Sequence, residues 1–324
     1  RGVKVYHLNI GQPDLPSPQV ALDAIRSIDR TTLEYSPSDG FRFFRENLVN
    51  YYAKFNIHLL PEEIIVTAGG SEAVLYAFMA CLNPGDEIIV PEPAYANYMA
   101  FAVSAGAIIK TIPTSIDNGF KLPEIEKFEA LIHSKTKGIL ICNPNNPTGY
   151  VYTAEEMEQI RLLVKKHNLY LFSDEVYREF IYSDAPYISA CHLKDIEENV
   201  VLIDSVSKRY SECGIRIGCL ITKNKKLHDT VMKFCQARLS PPLIGQIAAN
   251  ASLQENGVYM QQNFDEYKSR RDFLIERLNK IPGVYSPQPE GAFYTLASLP
   301  VDDTDAFCAW CLSDFRYENQ TVFM

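Results

Sequence analysis

The sequence predicts an α/β protein. It has a large domain with a mostly parallel seven-stranded sheet covered by helices, and a smaller α+β domain built from both chain ends. Three observations carry this. Seven short β-branched runs are apolar almost throughout, as strands buried on both faces must be. Most neighbouring runs are separated by amphipathic stretches at helical spacing, the alternation that yields parallel strands with crossover helices. The first thirty residues and the stretch from about 257 onward break that rhythm. The large domain is accordingly assigned to residues 31–270, and the small one to 1–30 with 271–324.

In chain order, the strands are EIIVT (63–67), EIIVP (87–91), AIIKTI (107–112), KGILIC (137–142), LYLFS (169–173), VVLID (200–204) and GCLIT (218–222). Helical patterns fall at 71–82, 96–105, 123–133, 153–168 and 224–238. A long charged helix, QQNFDEYKSRRDFLIERLNK, then leads into GAFYTLASLP, which is predicted as a strand, and a further helix follows. No repeat of solenoid length interrupts the pattern.

At 324 residues the chain is longer than one core usually serves. Its 40 Asp+Glu against 31 Lys+Arg give a formal net charge of −9. Without a Lys/Arg cluster, that balance excludes a nucleic-acid groove or an anionic membrane surface. The longest uninterrupted apolar run, 73–82, is about half the roughly 20 residues needed to span a bilayer. The opening RGVKVYHLNI has neither an apolar signal core nor a cleavage site, so a cytoplasmic protein is expected. The eight cysteines lack regular spacing. The one C-x-x-C, Cys308 to Cys311, has no second Cys/His pair beside it, so the thiols read as structural. The six histidines form no ligand group either, and no metal is expected.

Ligand sites in open α/β sheets gather at the carboxyl ends of strands, and the residues at those positions form an unusual set. After the first strand, Gly69-Gly70-Ser71 opens a helix whose free N–H groups and dipole suit a phosphate, although Ser71 also serves as an ordinary cap. After 137–142, NPNNPTG makes a proline-stiffened turn that aims Asn146. After 169–173 come Asp174 and Tyr177, and a buried carboxylate needs a partner. After 200–204 comes Ser205-Val206-Ser207-Lys208, with Arg216 eight residues past the lysine. Desolvation there lowers the pKa of the amine and frees it as a nucleophile, while hydroxyls and a guanidinium match a phosphate. Together these fit pyridoxal 5′-phosphate, which calls for a Schiff-base lysine and an acid facing its pyridine nitrogen.

The chain resembles the class I/II aminotransferases, the fold-type I pyridoxal-phosphate enzymes typified by aspartate aminotransferase. Seven blocks carry the resemblance in order: NIGQPDLPSP, YSPSDGFRFFRENLVNYY, TAGGSEAV, PEPAYANY, NPNNPTG, SDEVYREF and SVSKRYSECGIRIG. It implies that Lys208 carries the cofactor and later moves the substrate proton, and that Asp174 keeps the pyridine nitrogen protonated. Asn146 and Tyr177 would bond the phenolic oxygen and Tyr95 would stack on the ring. Gly70, Ser71, Ser205, Ser207 and Arg216 would hold the phosphate. Tyr35 would reach the phosphate of a neighbouring subunit, implying a homodimer with shared sites, and Gly11 would sit against the substrate, with Asn146 also facing it.

Two departures accompany the likeness. One aspartate-specific branch has a lysine where this chain has Ser71. The family's carboxylate-binding arginine falls beyond a stretch similar to 318–324, and Arg316 is no match for it, so the small domain is expected to lack its end. The implied activity moves an amino group between an amino acid, aspartate or a related one, and a 2-oxo acid such as 2-oxoglutarate. A lyase, decarboxylase or synthase of the same fold is the alternative, and a non-catalytic pyridoxal-phosphate-binding domain is a third reading.

Overall fold

The computed structural model describes residues 2–184 and 186–324. In chain order the α-helices and strands are β1 (Lys4–His7), α1 (Gln19–Arg26), α2 (Arg42–Ala53), β2 (Ile64–Thr67), α3 (Gly70–Cys81), β3 (Glu87–Glu92) and α4 (Asn97–Ser104). Then follow β4 (Ile108–Pro113), α5 (Ile125–Glu129), β5 (Thr136–Cys142), α6 (Ala154–His167), β6 (Tyr170–Asp174), β7 (Val200–Ser205) and α7 (Val206–Arg209). The last are β8 (Gly218–Ile221), α8 (Lys225–Arg238), α9 (Leu243–Ser252), α10 (Val258–Leu278), α11 (Thr304–Ser313) and β9 (Gln320–Phe323).

Strands β2 to β8 form one sheet in the order β2-β8-β7-β6-β5-β3-β4. All its pairs are parallel except the two made by β8, which runs antiparallel to β2 and β7. Alternate side chains of each strand point to opposite faces, and two cores result. Ile65, Val201, Ile203 and Leu220 pack with α3, α4 and α8 on one face. Ile64, Val66, Leu202 and Ile221 pack with α2, α5, α6 and α9 on the other. This burial on both faces is why six of the strands read as continuous apolar runs, whereas β4, at the sheet edge, is mostly exposed. Helix α6 shows the local logic of the covering layer. Thr153 Oγ1 accepts from Glu156 N and the Glu156 carboxylate accepts from Thr153 N, a reciprocal cap at the start of the helix. Lys165, Lys166 and His167 lie at its negative end, before Asn168 turns left-handed at φ 50°.

The seven expected sheet strands are all present, each within a residue or two of its predicted bounds. GAFYTLASLP is not a strand. Ala292 sits in the left-handed region at φ 56°, which breaks an extended run, and the segment makes only isolated bridges, Gly291 to Ile181 and Ser298 to Tyr285. The helix expected over 123–133 is the shorter α5, which buries only Phe128. The two chain ends meet in a second, two-stranded sheet, where β1 pairs in parallel with β9 from Lys4 opposite Gln320 to His7 opposite Phe323. Among the described residues, no helix is long and apolar enough to cross a membrane.

Candidate active site

The carboxyl ends of β6 and β7, parallel neighbours in the middle of the sheet, bring the strongest candidates together. Strand β6 ends on Asp174, whose side chain is buried. Tyr98 Oη donates to its Oδ2 at 2.7 Å and Val176 N donates to Oδ1 at 3.3 Å. Burial pushes this carboxyl up to about 6, against the opposing pull of those two donors. Strand β7 runs into the single turn α7, capped by Ser205 Oγ, which accepts from Ser207 N at 3.1 Å. Lys208 rides on that turn. Its Nζ donates to the Gly11 carbonyl at 2.6 Å, and burial pulls the amine below the usual lysine range, with Cys213 and Asp174 acting in the other direction.

Tyr177 is buried, with its ring centroid 5.8 Å from Lys208 Nζ and its hydroxyl 2.7 Å from that of Tyr294. Tyr95 is half-buried and meets Tyr98 edge-on, with centroids 5.4 Å apart. Asn146 is half-buried in its proline-bounded turn. Asn143 and Asn145 spend their amides on holding that turn: Asn143 Nδ2 donates to Ile188 O at 3.1 Å, and Asn145 Oδ1 accepts from Thr148 Oγ1 at 2.9 Å. Asn146 takes no part in those bonds.

The anion cradle forms where α3 and α7 begin. Gly69, at φ 90°, lets the chain turn into α3, so that Gly70 and Ser71 occupy its first turn. A Cβ at Gly69 would lie 2.3 Å from Arg216 Nη2, so glycine is what allows the guanidinium to lean over the helix start. Arg216 is held there by Nη1 donating to Cys213 O at 2.8 Å. Ser205 Oγ lies 2.7 Å from Ser207 Oγ and 2.9 Å from Ile217 O. Hydroxyls, a guanidinium and a helix N-terminus thus stand beside a half-buried amine and a buried acid. That donor set fits a phosphorylated aldehyde carrying a basic ring nitrogen.

Gly11 closes the site from the amino-terminal segment. A Cβ there would lie 1.6 Å from Tyr294 Oη. The segment is fastened by Ser17 Oγ donating to Ser211 O at 2.8 Å and by a 2.7 Å pair between Asp14 and Arg270. Tyr35 is not drawn into this site by its own chain and stands 74% exposed.

Sequence reasoning missed three features. Tyr98 lies one helical turn beyond Tyr95 in PEPAYANY, and that spacing was the available signal. Tyr294 was hidden in the run read as a strand. Behind the site, Asp204, Arg178, Arg209 and Glu179 form a buried ionic network, signalled only by charges flanking apolar strands.

A model of the family described as aminotransferase class I and II matches residues 3–317. The aspartate aminotransferase of Thermotoga maritima is 35% identical over 97% of this chain and 82% of its own length. That of Pyrococcus horikoshii is 32% identical over 96% and 81%. Among solved structures, the Thermotoga maritima enzyme superposes with a TM-score of 0.90 at 32% identity, covering 98% of this chain and 83% of that one. An alanine aminotransferase from Pyrococcus furiosus gives 0.87 at 31% identity, over 93% and 79%.

Proposed function

The chain belongs to the class I and II aminotransferases, enzymes that act on amino acids and 2-oxo acids, and from that premise we propose that it uses pyridoxal 5′-phosphate held by the residues described above. The observation that carries this reading is the meeting of the Lys208 amine and the Asp174 carboxyl at neighbouring strand ends, beside the anion cradle. When bound, pyridoxal phosphate supplies an electrophilic carbonyl and an electron-accepting ring. The chain's own residues do the rest. Gly70, Ser71, Ser205, Ser207 and Arg216 bind the phosphate. Asp174 holds a proton on the ring nitrogen by offering it a buried carboxylate. Asn146 and Tyr177 donate to the phenolic oxygen, and Tyr95 covers a ring face.

Lys208 is the general base. Burial shifts its amine toward the neutral form, below the usual lysine range, and the Gly11 carbonyl orients Nζ, which can take a proton from a substrate carbon and return it. Gly11 and Tyr294 together help exclude water from the amine. We further propose aspartate or a related amino acid as donor and 2-oxoglutarate as acceptor, in keeping with the names of the relatives. We also propose a cytoplasmic location, and a homodimer in which Tyr35 completes the partner's cradle, a role that accords with that residue's exposure. We read residues 31–270 as the cofactor-binding domain and the two chain ends as the smaller one.

Borohydride reduction of the protein with pyridoxal phosphate, followed by peptide mapping, tests the assignment. The pyridoxyl group is expected on Lys208, and a label on any other lysine sinks it. A panel of amino acids against 2-oxoglutarate then identifies the donor by stoichiometric formation of the aminated cofactor.

A further inference from the structure

Two segments carry the proposed acid and amine: 174–179, leaving β6, and 204–209, at the end of β7. They are tied to each other twice, in opposite senses. Arg178 of the first segment pairs with Asp204 of the second at 3.2 Å, and Arg209 of the second pairs with Glu179 of the first at 2.9 Å. Arg209 also reaches Asp204 within its own segment at 2.5 Å and Ser205 O at 3.2 Å. Asp204 Oδ2 accepts from Tyr52 Oη at 2.5 Å, and its Oδ1 accepts from Ser205 N at 2.7 Å. Tyr51 Oη bonds both Arg209 and Glu179. Arg178, Arg209 and Asp204 are all essentially sealed from solvent.

Such an array adds little stability, because desolvating ions costs about what their attraction returns, and apolar replacements are often no worse. What it supplies is direction. A planar guanidinium fork fixes the orientation of its partners more tightly than packing does. Directional support matters here because α7 is a single turn of four residues, below the length at which helices hold themselves. Arg209 anchors that turn one residue from Lys208. On the other segment Glu175, next to Asp174, accepts from Arg178 at 3.1 Å, from Ser189 Oγ at 2.8 Å and from Ala190 N at 2.9 Å.

We propose that Arg178 and Arg209 are positioning residues, whose reciprocal ion pairs with Asp204 and Glu179 lock the two segments together and set the spacing between the Asp174 carboxyl and the Lys208 amine. The proposal rests on the reading of those two groups as the acid and the amine of the site.

The test compares Arg209→Met, Arg209→Lys and Arg178→Met with Leu163→Ala, a buried α6 side chain outside both segments. Three quantities are read: Tm, the kcat and KM of the holoenzyme, and the pH midpoint at which an amine reagent modifies Lys208 in the cofactor-free protein. The arginine variants are expected to lose about 10- to 100-fold in kcat with KM within about threefold, as misplaced reacting groups do. The Lys208 midpoint should move up by about half a unit or more as the amine gains water. Arg209→Lys keeps the charge and loses the fork, so it should share both effects. Leu163→Ala should lower Tm alone. Should the arginine variants not fold, Glu179→Gln, which keeps shape and removes one pairing, is expected to shift kcat and the midpoint in the same directions. The proposal is overturned if Arg209→Lys retains the parent kcat and midpoint, or if the folded variants differ from the parent only in Tm. A pyridoxyl label away from Lys208 would instead overturn the site assignment, so the two failures are separable.

Discussion

Tyr98 and Asp174, from α4 and the end of β6, share a 2.7 Å hydrogen bond in which the phenol donates to the carboxylate. The bond opposes the effect of burial, which has already brought this carboxyl up to about 6. Tyr98→Phe should therefore raise it further, by about one unit for a lost bond to a charged group. In the cofactor-free protein the Asp174 titration, followed by NMR, is expected to move to higher pH by that amount. An unmoved titration means that another donor restrains Asp174.

Asp174 also sets a stability cost in the cofactor-free protein. Its carboxyl titrates near 3.8 in the unfolded chain and near 6 in the folded one, so between those values the folded state binds more protons. Stability therefore falls as pH rises from about 4 to about 6, by about 3 kcal/mol in all. Asp174→Asn removes the penalty. Cofactor-free Asp174→Asn should be more stable than the parent at pH 7 and equal to it near pH 3.5, with turnover lowered by about a hundredfold or more. Urea melts at the two pH values, with and without the substitution, measure the difference.

Gly11→Ala tests the closure of the amino-terminal segment. The added methyl would collide with Tyr294 Oη, so the segment must lift and give up its carbonyl contact with Lys208. A loss of about 10- to 100-fold in kcat/KM is expected, with Tm changed little because the segment is otherwise fastened at Asp14 and Ser17. Steady-state kinetics beside a thermal melt separate the two effects.

The exposed Tyr35 makes a prediction about assembly. If it completes a neighbour's cradle, Tyr35→Ala and Lys208→Ala proteins are each nearly inactive alone. Exchanged into hybrids, they regain one intact site per dimer, since one subunit then supplies the lysine and the other the tyrosine. Activity that stays flat on mixing, with subunit exchange verified by mass, would contradict shared sites.

The sheet was legible because six of its strands are buried on both faces, so that runs such as VVLID and KGILIC announce themselves without their neighbours, while the mostly exposed edge strand β4 was marked by its β-branched residues. Strands β1 and β9 were not. Lys4-Val5-Tyr6-His7 and Gln320-Thr321-Val322-Phe323 carry mixed polarity over four residues, and only their mutual pairing makes them strands. GAFYTLASLP misled for the opposite reason: its apolar residues serve an irregular loop whose aromatics, Phe293 and Tyr294, pack on Tyr177. In the candidate site, Asp174 and Lys208 could be found by standing at strand ends. Tyr98, spaced one turn from Tyr95, and the Arg178–Asp204 pair, flanking apolar strands, left only faint local signals and Tyr294 left none, because their partners are chosen by tertiary approach.

The parallel pairing of β1 with β9 also bears on how the molecule is made. Its partners lie more than three hundred residues apart in the sequence, so the pair closes a loop that takes in every strand of the seven-stranded sheet. Contacts of that span form late, after local ones have reduced the entropy of closure. During synthesis, residues 320–323 leave the ribosome long after the sheet with Asp174 and Lys208 has been delivered. Gly11, four residues past β1, can meet Tyr294 and Lys208 before then, but the strand that leads into its segment is paired only when β9 arrives. The nascent chain thus holds its amine and its acid throughout the synthesis of the residues between Lys208 and Gln320 before β1 finds its partner strand.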